Sequence, residues 1–276
     1  MSFDPYAPYG ALVDTTLRVV TWNVWGRYGA IEQREADIED ELAAVSPDVV
    51  GLVESWSTAD ANQADLVGNR LGLEHRMFVA GMDVDDWSSG LGLASRWPVV
   101  THEHRNLYGK DGAESGAVLF AALDGPRGSI EVFLAATDYP LDASAVRQDQ
   151  VRQLAAFVRE RTRQRSVTIV FGDFNAGPEA DEMRTLTGQS DTAAPGLVFY
   201  DAWEIAGDDS PGYTWSNSNP LAAVGLYPNR RIDYILSAWP RAHGVGHPTH
   251  CERLGVVPPD QPQLSDHYGV LADLRY

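Results

Sequence analysis

Short apolar segments constrain the fold of this chain more than any other feature of its sequence. Several of them are apolar on both faces, which is typical of strands in a sheet that is covered on each side. The spacings between them include hairpin-like and crossover lengths, and this mixture favours mixed pairing. The predicted strands are residues 17–22, 48–54, 91–95, 117–123, 130–137, 167–172, 231–236 and 268–274.

Two segments between these strands have the pattern of helices. Residues 144–163 form the clearer one, because apolar side chains recur there at helical spacing. Residues 31–45 form a second, acidic helix candidate that ends before Pro47. No fixed-period repeat or low-complexity tract interrupts the alternation of strands and helices. The apolar positions of the first helix are Val151, Leu154, Ala155 and Val158.

The chain has no linker-like stretch that would divide it. Its 276 residues are enough for one large domain with a substantial buried core. We therefore expect a single domain over residues 1–276, in which residues 1–15 form a flexible or loosely packed N-terminal arm. Long loops are expected near residues 81–90, 102–116 and 206–229.

The charge of the chain bears on its partners. It carries 39 acidic and 21 basic residues, for a formal net charge of −18. Such a protein gains no long-range attraction to a polyanion, so nucleic acid is a possible but disfavoured partner. A site that holds a divalent metal must itself be acidic, however, and arginine can still grip a phosphate. The only lysine, Lys110, is not part of a GxxxxGK[ST] phosphate-binding loop.

Cysteine usage and hydropathy indicate the compartment. Cys251 is the only cysteine and cannot form an internal disulfide. The first ten residues have neither a basic start nor an apolar run of signal-peptide length, and no segment approaches the roughly 20 apolar residues that cross a bilayer. We therefore expect a cytoplasmic protein without membrane insertion.

Polar residues recur next to the predicted strands, mostly at their ends, and Asp233 lies inside the predicted strand 231–236. Polar side chains seldom occur repeatedly beside core strands by chance, because burying polar groups without hydrogen-bond partners is costly. If these ends converge, they form a pocket with carboxylates for a hard cation and donors for an anion. The residues are Asn23, Glu54, Asp173, Asn175, Asp233, Asp266 and His267.

The segment Gly172-Asp173-Phe174-Asn175 shows how such a site could be built. Gly172 permits a sharp exit from the strand, and two side chains two residues apart point to the same side of an extended segment. The carboxylate of Asp173 and the amide of Asn175 would then face a common ligand. The alternative is a turn in which both side chains only satisfy backbone groups. Taken alone, Glu54 could likewise be a solvated strand end, and His267 a turn histidine.

Six segments taken together resemble a known family. TWNVWG, GLVES, SRWP, GDFN, RIDYIL and LSDHYG occur in this order over most of the chain. This set resembles the endonuclease/exonuclease/phosphatase superfamily of metal-dependent phosphoesterases. The resemblance implies a four-layer α/β sandwich, in which two mixed β-sheets pack face to face between helices. It also implies that the site lies at one end of the sheets.

The resemblance implies a role for each matching residue. Glu54 corresponds to the main ligand of Mg²⁺ or Mn²⁺, with Asn23 and Asp266 contributing directly or through water. Asp173 corresponds to the residue that orients or deprotonates the attacking water. The remaining residues of the motifs correspond to phosphate donors and their support, namely Asn175, His267 and Asp233, of which Asp233 holds the imidazole of His267.

Asp138 departs from the family pattern. Many relatives carry a His after the strand equivalent to residues 130–137, and the abasic-site enzymes carry a Tyr, whereas this chain reads Thr137-Asp138-Tyr139. Asp138 could act as a protonated acid, bind a second metal, or contact a cationic or hydroxylated substrate group; Tyr139 could substitute for the missing donor. Trp25 stands where abasic-site enzymes carry an Asp, which disfavours that subfamily.

Three other groups of residues have a functional and a structural interpretation. The cluster of His243, His247, His250 and Cys251 contains zinc-ligand types, but its irregular spacing favours a surface strand and loop. The arginines at 159, 161, 163 and 165 are more typical of a solvated helix end than of a nucleic-acid contact. Loop aromatics could stack on a substrate or merely anchor the loops, and they are Trp87, Tyr108, Trp215 and Tyr227.

These observations favour a Mg²⁺- or Mn²⁺-dependent hydrolase of a phosphodiester or phosphomonoester. The net charge and Asp138 favour a small-molecule or lipid phosphoester, with Tyr139 and Trp215 as further substrate contacts. One alternative is a nuclease acting on DNA or RNA. Another is a catalytically altered family member that serves as a binding module. The sequence leaves the oligomeric state open.

Overall fold

The computed structural model describes residues 4–109, 112–162, 166–239 and 242–276. In these ranges, two six-stranded β-sheets pack face to face and helices cover their outer faces. The predicted α/β sandwich of two mixed sheets is therefore confirmed. Lys110, Arg163 and Arg165 lie outside the described residues.

The strands follow one another in chain order from β1 to β12. They are β1 (Thr16–Asn23), β2 (Val49–Ser57), β3 (His75–Val84), β4 (Trp87–Ser95), β5 (Val99–Tyr108), β6 (Glu114–Gly125), β7 (Gly128–Ala136), β8 (Val167–Asp173), β9 (Phe199–Asp201), β10 (Asp233–Ala238), β11 (Pro248–Leu254) and β12 (Gly269–Arg275). The helices are α1 (Ile31–Val45), α2 (Gln63–Leu71), α3 (Ser144–Arg161), α4 (Asp181–Thr187), α5 (Ala202–Ala206) and α6 (Pro220–Ala223), with a 3₁₀ turn at Ala242–Gly244.

Each sheet has one parallel pair of strands near its centre. The first sheet has the order β11-β12-β1-β2-β4-β3, and β1 and β2 are its parallel pair. The second has the order β5-β6-β7-β8-β10-β9, and β7 and β8 are parallel. The other neighbours are antiparallel. Because the carboxyl ends of a parallel pair lie at the same edge, each sheet brings two strand ends to one place.

Three apolar layers hold the sandwich together. The inner faces of the two sheets bury side chains such as Val49 and Phe171 against each other. Gly51 allows this close approach, because a Cβ there would lie 2.4 Å from the Phe171 ring. Ile38 of α1 packs on the outer face of the first sheet, and Phe157 of α3 packs on the outer face of the second.

Eight of the strands and both predicted helices are confirmed, with small differences in their ends. The predicted loops at 81–90 and 102–116 are wrong, because these residues belong to the β3–β4 and β5–β6 hairpins. β3 and β5 are edge strands with polar, partly exposed side chains. Their stretches therefore lack the double-sided apolar pattern that reveals a central strand.

Residues 9–15 of the expected N-terminal arm form backbone hydrogen bonds with the rest of the domain. The amide of His243 donates to the carbonyl of Tyr9 at 2.7 Å, and the amide of Val13 donates back to the carbonyl of His243 at 3.0 Å. The amide of Tyr276 donates to the carbonyl of Thr15 at 2.8 Å. This part of the chain thus lies along the segment around residue 243 and the carboxyl end of the described chain.

The cluster of histidines and Cys251 does not converge on one centre. Cys251 is buried in the core between the sheets, whereas His250 on the same strand is exposed. His243 makes a 2.8 Å hydrogen bond with the carbonyl of Ala11. Within the described ranges, none of these residues belongs to a group that could hold a metal ion. No helix in the described chain is both long and apolar enough to cross a membrane.

Gly172 should be indispensable for the stability of the second sheet. Its φ is +133°, and a Cβ there would lie 1.9 Å from the carbonyl oxygen of Ala135 in the neighbouring strand. Gly128 is a matched control, because its φ is +127° but a Cβ there would meet nothing within 4 Å. We expect Gly172→Ala to lower the free energy of unfolding by about 3 kcal/mol more than Gly128→Ala. Urea denaturation of both variants measures this; equal losses would contradict the steric argument.

Candidate active site

The carboxyl ends of the central strands of both sheets meet at one edge of the sandwich. Asn23 ends β1 in the first sheet, and Asp173 ends β8 in the second. The Asn23 Nδ2 donates to Glu54 Oε1 at 2.9 Å and to Asp173 Oδ2 at 3.0 Å. One buried amide therefore connects two carboxylates that come from different sheets.

Glu54 reaches this edge through a local distortion of its strand. The pairing of β2 with β4 shifts in register between Val53 and Ser55, and Glu54 between them has a φ of +54°. A non-glycine residue in this region is uncommon and marks a bulge or a functional constraint. The carbonyl of Glu54 accepts a hydrogen bond from the amide of Gly26 at 3.0 Å, which ties the bulge to the loop after β1.

The sequence left two alternatives for Asp173, a side chain that faces the site and one that only satisfies backbone groups of a turn. The structure shows that its carboxylate does both. Its Oδ1 accepts a hydrogen bond from the backbone amide of Asn175 at 2.9 Å, while its Oδ2 accepts the bond from Asn23. Asn175 has a φ of +49°, and its Nδ2 donates to the carbonyl of Thr137 at 3.0 Å. The turn thus fixes the Asp173 carboxylate at the strand end.

A buried hydrogen-bonded pair lies beside Asp173. His267 Nδ1 and Asp233 Oδ2 are 2.8 Å apart, and His267 Nε2 lies 4.0 Å from Asp173 Oδ2. The pairing of β8 with β10 places Asp233 directly opposite Asp173. Ligand atoms of these three residues lie within 4.8 Å of one another. Because Asp233 occupies Nδ1, the second ring nitrogen of His267 faces Asp173.

The electrostatics of this group follow from burial and from the number of carboxylates. Burial raises the pKa of Asp173 to about 7, with a further increase from the charge of Asp233 and opposition from His267 and Asn23. Burial alone would lower the pKa of His267, but the charge and hydrogen bond of Asp233, together with Asp173, raise it well above its usual value. His267 is therefore held as a cation, and Asp173 is poised to exchange a proton near neutral pH.

Asp266 adds another buried carboxylate to this edge. Its Oδ1 accepts a 3.2 Å hydrogen bond from Ser265 Oγ. Burial raises its pKa to about 6; His267 opposes this rise and the charge of Glu54 adds to it. Oδ1 of Asp233 is also buried and has no hydrogen-bond partner in the described chain. Several carboxylate oxygens lie close together here, and their negative charge is only partly balanced, which fits a hard divalent cation.

Two candidate residues are not drawn into this cluster. The Asp138 carboxylate is half-buried and accepts a hydrogen bond from the backbone amide of Tyr139 at 3.1 Å. The Tyr139 side chain is 67% exposed. Arg147, buried against Glu182, donates to the carbonyl of Asp138 and so fixes the main chain of this loop. Both side chains therefore lie at the rim, next to Thr137 but outside the hydrogen-bonded cluster.

Trp215 packs directly against the site. Its ring meets the imidazole of His267 edge to face, with 5.1 Å between the ring centroids. An isolated β-bridge joins the two backbones. A second bridge joins Trp215 to Arg230. Trp215 therefore connects the loop 206–229 both to His267 and to the segment before β10.

Sequence reasoning missed three residues that support or flank the site. Ser265 Oγ donates to the carbonyl of Asn23 at 2.8 Å, and Thr214 Oγ1 accepts from the amide of Asp233 at 3.2 Å. Arg230 donates to the carbonyl of Asn175 at 3.3 Å. Ser265 is part of the LSDHYG segment and Arg230 directly precedes RIDYIL, so closeness in sequence was the available signal.

Several solved structures share this fold. An endonuclease/exonuclease/phosphatase family protein from Leptotrichia buccalis superposes with a TM-score of 0.71 at 14% identity, covering 94% of this chain and 100% of that one. TDP2 from D. rerio, complexed with a single-strand DNA product, has a TM-score of 0.71 at 19% identity and covers 95% and 100%. Sphingomyelinase C from Streptomyces griseocarneus has a TM-score of 0.66 at 19% identity and covers 94% and 99%. At these identities the likeness concerns the fold.

A family model gives the assignment that structural likeness alone does not. No curated protein sequence matches the chain. The model of the Endonuclease/Exonuclease/phosphatase family matches residues 20–267, which include each residue of the hydrogen-bonded cluster. The chain belongs to the endonuclease/exonuclease/phosphatase family, whose members are hydrolases of phosphoester bonds.

Proposed function

We propose that this protein is a Mg²⁺- or Mn²⁺-dependent phosphoesterase that hydrolyses a small-molecule or lipid phosphoester. One observation carries the proposal above all. A single amide, that of Asn23, bridges the carboxylates of Glu54 and Asp173, and the Asp233–His267 pair lies directly beside Asp173. This arrangement combines oxygen ligands, a proton acceptor and a cationic donor within one edge of the fold.

Glu54 and Asp266 are the residues that would hold the metal ion, with Asn23 as a further direct or water-mediated ligand. Burial raises the pKa of Asp266 and the charge of Glu54 raises it further, so a cation beside these carboxylates is favoured. When bound, the ion neutralises negative charge that develops on the phosphoryl and leaving oxygens. Mg²⁺ keeps several waters of its own, so a few protein ligands are enough.

The chain's own residues supply the proton transfers and the orientation. Asp173, whose pKa is raised to about 7, accepts a proton from the attacking water and holds that water in line. His267 donates from Nε2 to a phosphoryl oxygen, and Asp233 keeps the imidazole protonated and oriented. Asn175, in the turn that follows Asp173, would donate a further hydrogen bond to a phosphoryl oxygen.

The substrate class rests on charge and on the rim of the site. With a net charge of −18, the protein gains no long-range attraction to a nucleic acid. Asp138 and the exposed Tyr139 lie at the rim, where they would contact a cationic or hydroxylated group of the substrate. A nuclease is the second candidate, because the solved structure of D. rerio TDP2 holds a single-strand DNA product on the same fold.

Removing the proton acceptor Asp173 or the cationic side chain of His267 should abolish most of the activity. We expect Asp173→Asn and His267→Ala each to lower kcat by on the order of 100-fold or more, because both groups act mainly in the transition state. Asp191→Asn, an exposed carboxylate, is the matched control and should leave kcat unchanged. Steady-state kinetics with bis-p-nitrophenyl phosphate and Mn²⁺ measure this. Near-wild-type rates in a folded Asp173→Asn variant would contradict the assigned role.

Metal binding should depend on Glu54 and on pH. We expect Glu54→Gln to raise the Mn²⁺ concentration at half-saturation by roughly tenfold or more, measured by calorimetry. Because the pKa of Asp266 is raised to about 6, this carboxyl is partly protonated at pH 6, and the metal must displace that proton. Binding should therefore tighten between pH 5 and 7 and release protons at pH 6. An unchanged titration in Glu54→Gln would remove Glu54 from the ligands.

Salt dependence separates a small-ester hydrolase from a nuclease. A nuclease that contacts several phosphates releases counterions on binding and loses about a thousandfold in affinity between 50 and 200 mM salt. We expect only a weak salt effect on kcat/KM for the preferred substrate in a panel of p-nitrophenyl phosphates, sphingomyelin, RNA and plasmid DNA, with an EDTA control. Preferential hydrolysis of DNA or RNA with a steep salt slope would instead support the second candidate.

A further inference from the structure

The structure assigns Arg230 as a second cationic phosphate-binding residue of this site, in addition to His267. This inference rests on the proposed function, because it concerns the same phosphoryl group. Arg230 lies three residues before Asp233, at the point where the chain enters β10. It lies outside the motif segments that identify the other site residues.

The Arg230 guanidinium has no partner that balances its charge. In the described chain, no carboxylate lies within 4.0 Å of it, and its one hydrogen bond is the 3.3 Å contact with the carbonyl of Asn175. Its Nε is buried and has no partner in the described ranges, a feature that it shares with Arg231. Its neighbour Arg231 shows what a structural arginine looks like here, because it is buried and ion-paired with Asp201 and Glu204. A half-buried cation without an anion favours the arrival of one.

Arg230 is close enough to the catalytic carboxylates to feel their charge. Burial and the like charge of Arg147 lower the pKa of its guanidinium, whereas the charges of Asp173 and Asp233 oppose that decrease. The hydrogen bond to the Asn175 carbonyl fixes the guanidinium on one side of the turn, while the Asn175 side chain is anchored on the other side at Thr137.

The backbone and an aromatic pair hold Arg230 in place. Its amide donates to the carbonyl of Trp215 at 2.8 Å, and the amide of Trp215 donates back at 2.9 Å. The guanidinium lies 5.4 Å from the centre of the Tyr227 ring, and the Tyr227 and Trp215 rings are 5.9 Å apart. Trp215 in turn contacts His267. Arg230 and His267 thus lie against the same aromatic pair, Arg230 on the Tyr227 ring and His267 on the Trp215 ring.

A ligand can reach Arg230 from solvent. The residue is only half-buried, so part of its surface remains exposed to solvent. The planar guanidinium presents its donors as a fork that matches two phosphate oxygens, which an ammonium or an imidazole cannot do. Arg230 would thus supply positive charge to the phosphoryl group.

Phosphate binding tests this assignment without relying on turnover. Inorganic phosphate is titrated calorimetrically into the 276-residue protein with Mg²⁺ present and again with EDTA. We expect Arg230→Gln to weaken phosphate binding roughly 10- to 100-fold, as for a charge-assisted hydrogen bond, and Arg230→Lys to weaken it less. Arg152→Gln is the matched control, because it removes the same charge from the exposed surface of α3. Thermal unfolding verifies that each variant is folded.

The outcomes separate this inference from the proposed function. Phosphate affinity of Arg230→Gln within twofold of the wild type would overturn the assignment of Arg230 and leave the phosphoesterase proposal standing. Failure of the wild type itself to bind phosphate or to hydrolyse any phosphoester would overturn both. A purely structural role predicts that Arg230→Lys and Arg230→Gln lose thermal stability while phosphate affinity stays unchanged, which also contradicts the inference.

Discussion

The site depends on one buried amide that joins two sheets. Asn23 donates both of its Nδ2 protons to carboxylates, one on a distorted strand of its own sheet and one at the end of a strand in the other. Buried carboxylates without donors are costly, so these bonds fix the relative position of Glu54 and Asp173. The edge of the sandwich is therefore held together by the same groups that are proposed to perform the chemistry.

The distribution of positive charge at this edge explains the pKa values of its acids. Asp173 and Asp266 have raised pKa values because burial is only partly compensated. His267, which Asp233 keeps protonated, balances part of this negative charge. Arg230 lies nearby but makes no ion pair in the described chain. A divalent cation and a phosphoryl group would complete the balance from opposite sides, with the cation relieving the carboxylates and the phosphoryl group pairing with His267 and Arg230.

Buried arginines hold the loops that carry the site. Arg34 is buried and donates to the carbonyls of Val24, Gly26 and Leu264, which ties the loop after β1 to the segment before Asp266. Arg147 plays a similar part for the loop of Asp138 on the second sheet. Because a guanidinium carries five donors in a fixed plane, one side chain can hold several carbonyls at once. The loops are thus fixed to the scaffold without further secondary structure.

The sequence by itself determined the central strands, the two main helices and the polar residue types beside the strands. Segments that are apolar on both faces, and the polar residues next to them, are local signals that can be read from the sequence. It did not reveal the edge strands β3 and β5, whose partly exposed side chains resemble those of loops. Only the tertiary structure decided the left-handed backbone of Glu54, the contact between Asn23 and Asp173 and the unpaired charge of Arg230. These features depend on strand register and on contacts between residues as many as 150 positions apart, which no local pattern encodes.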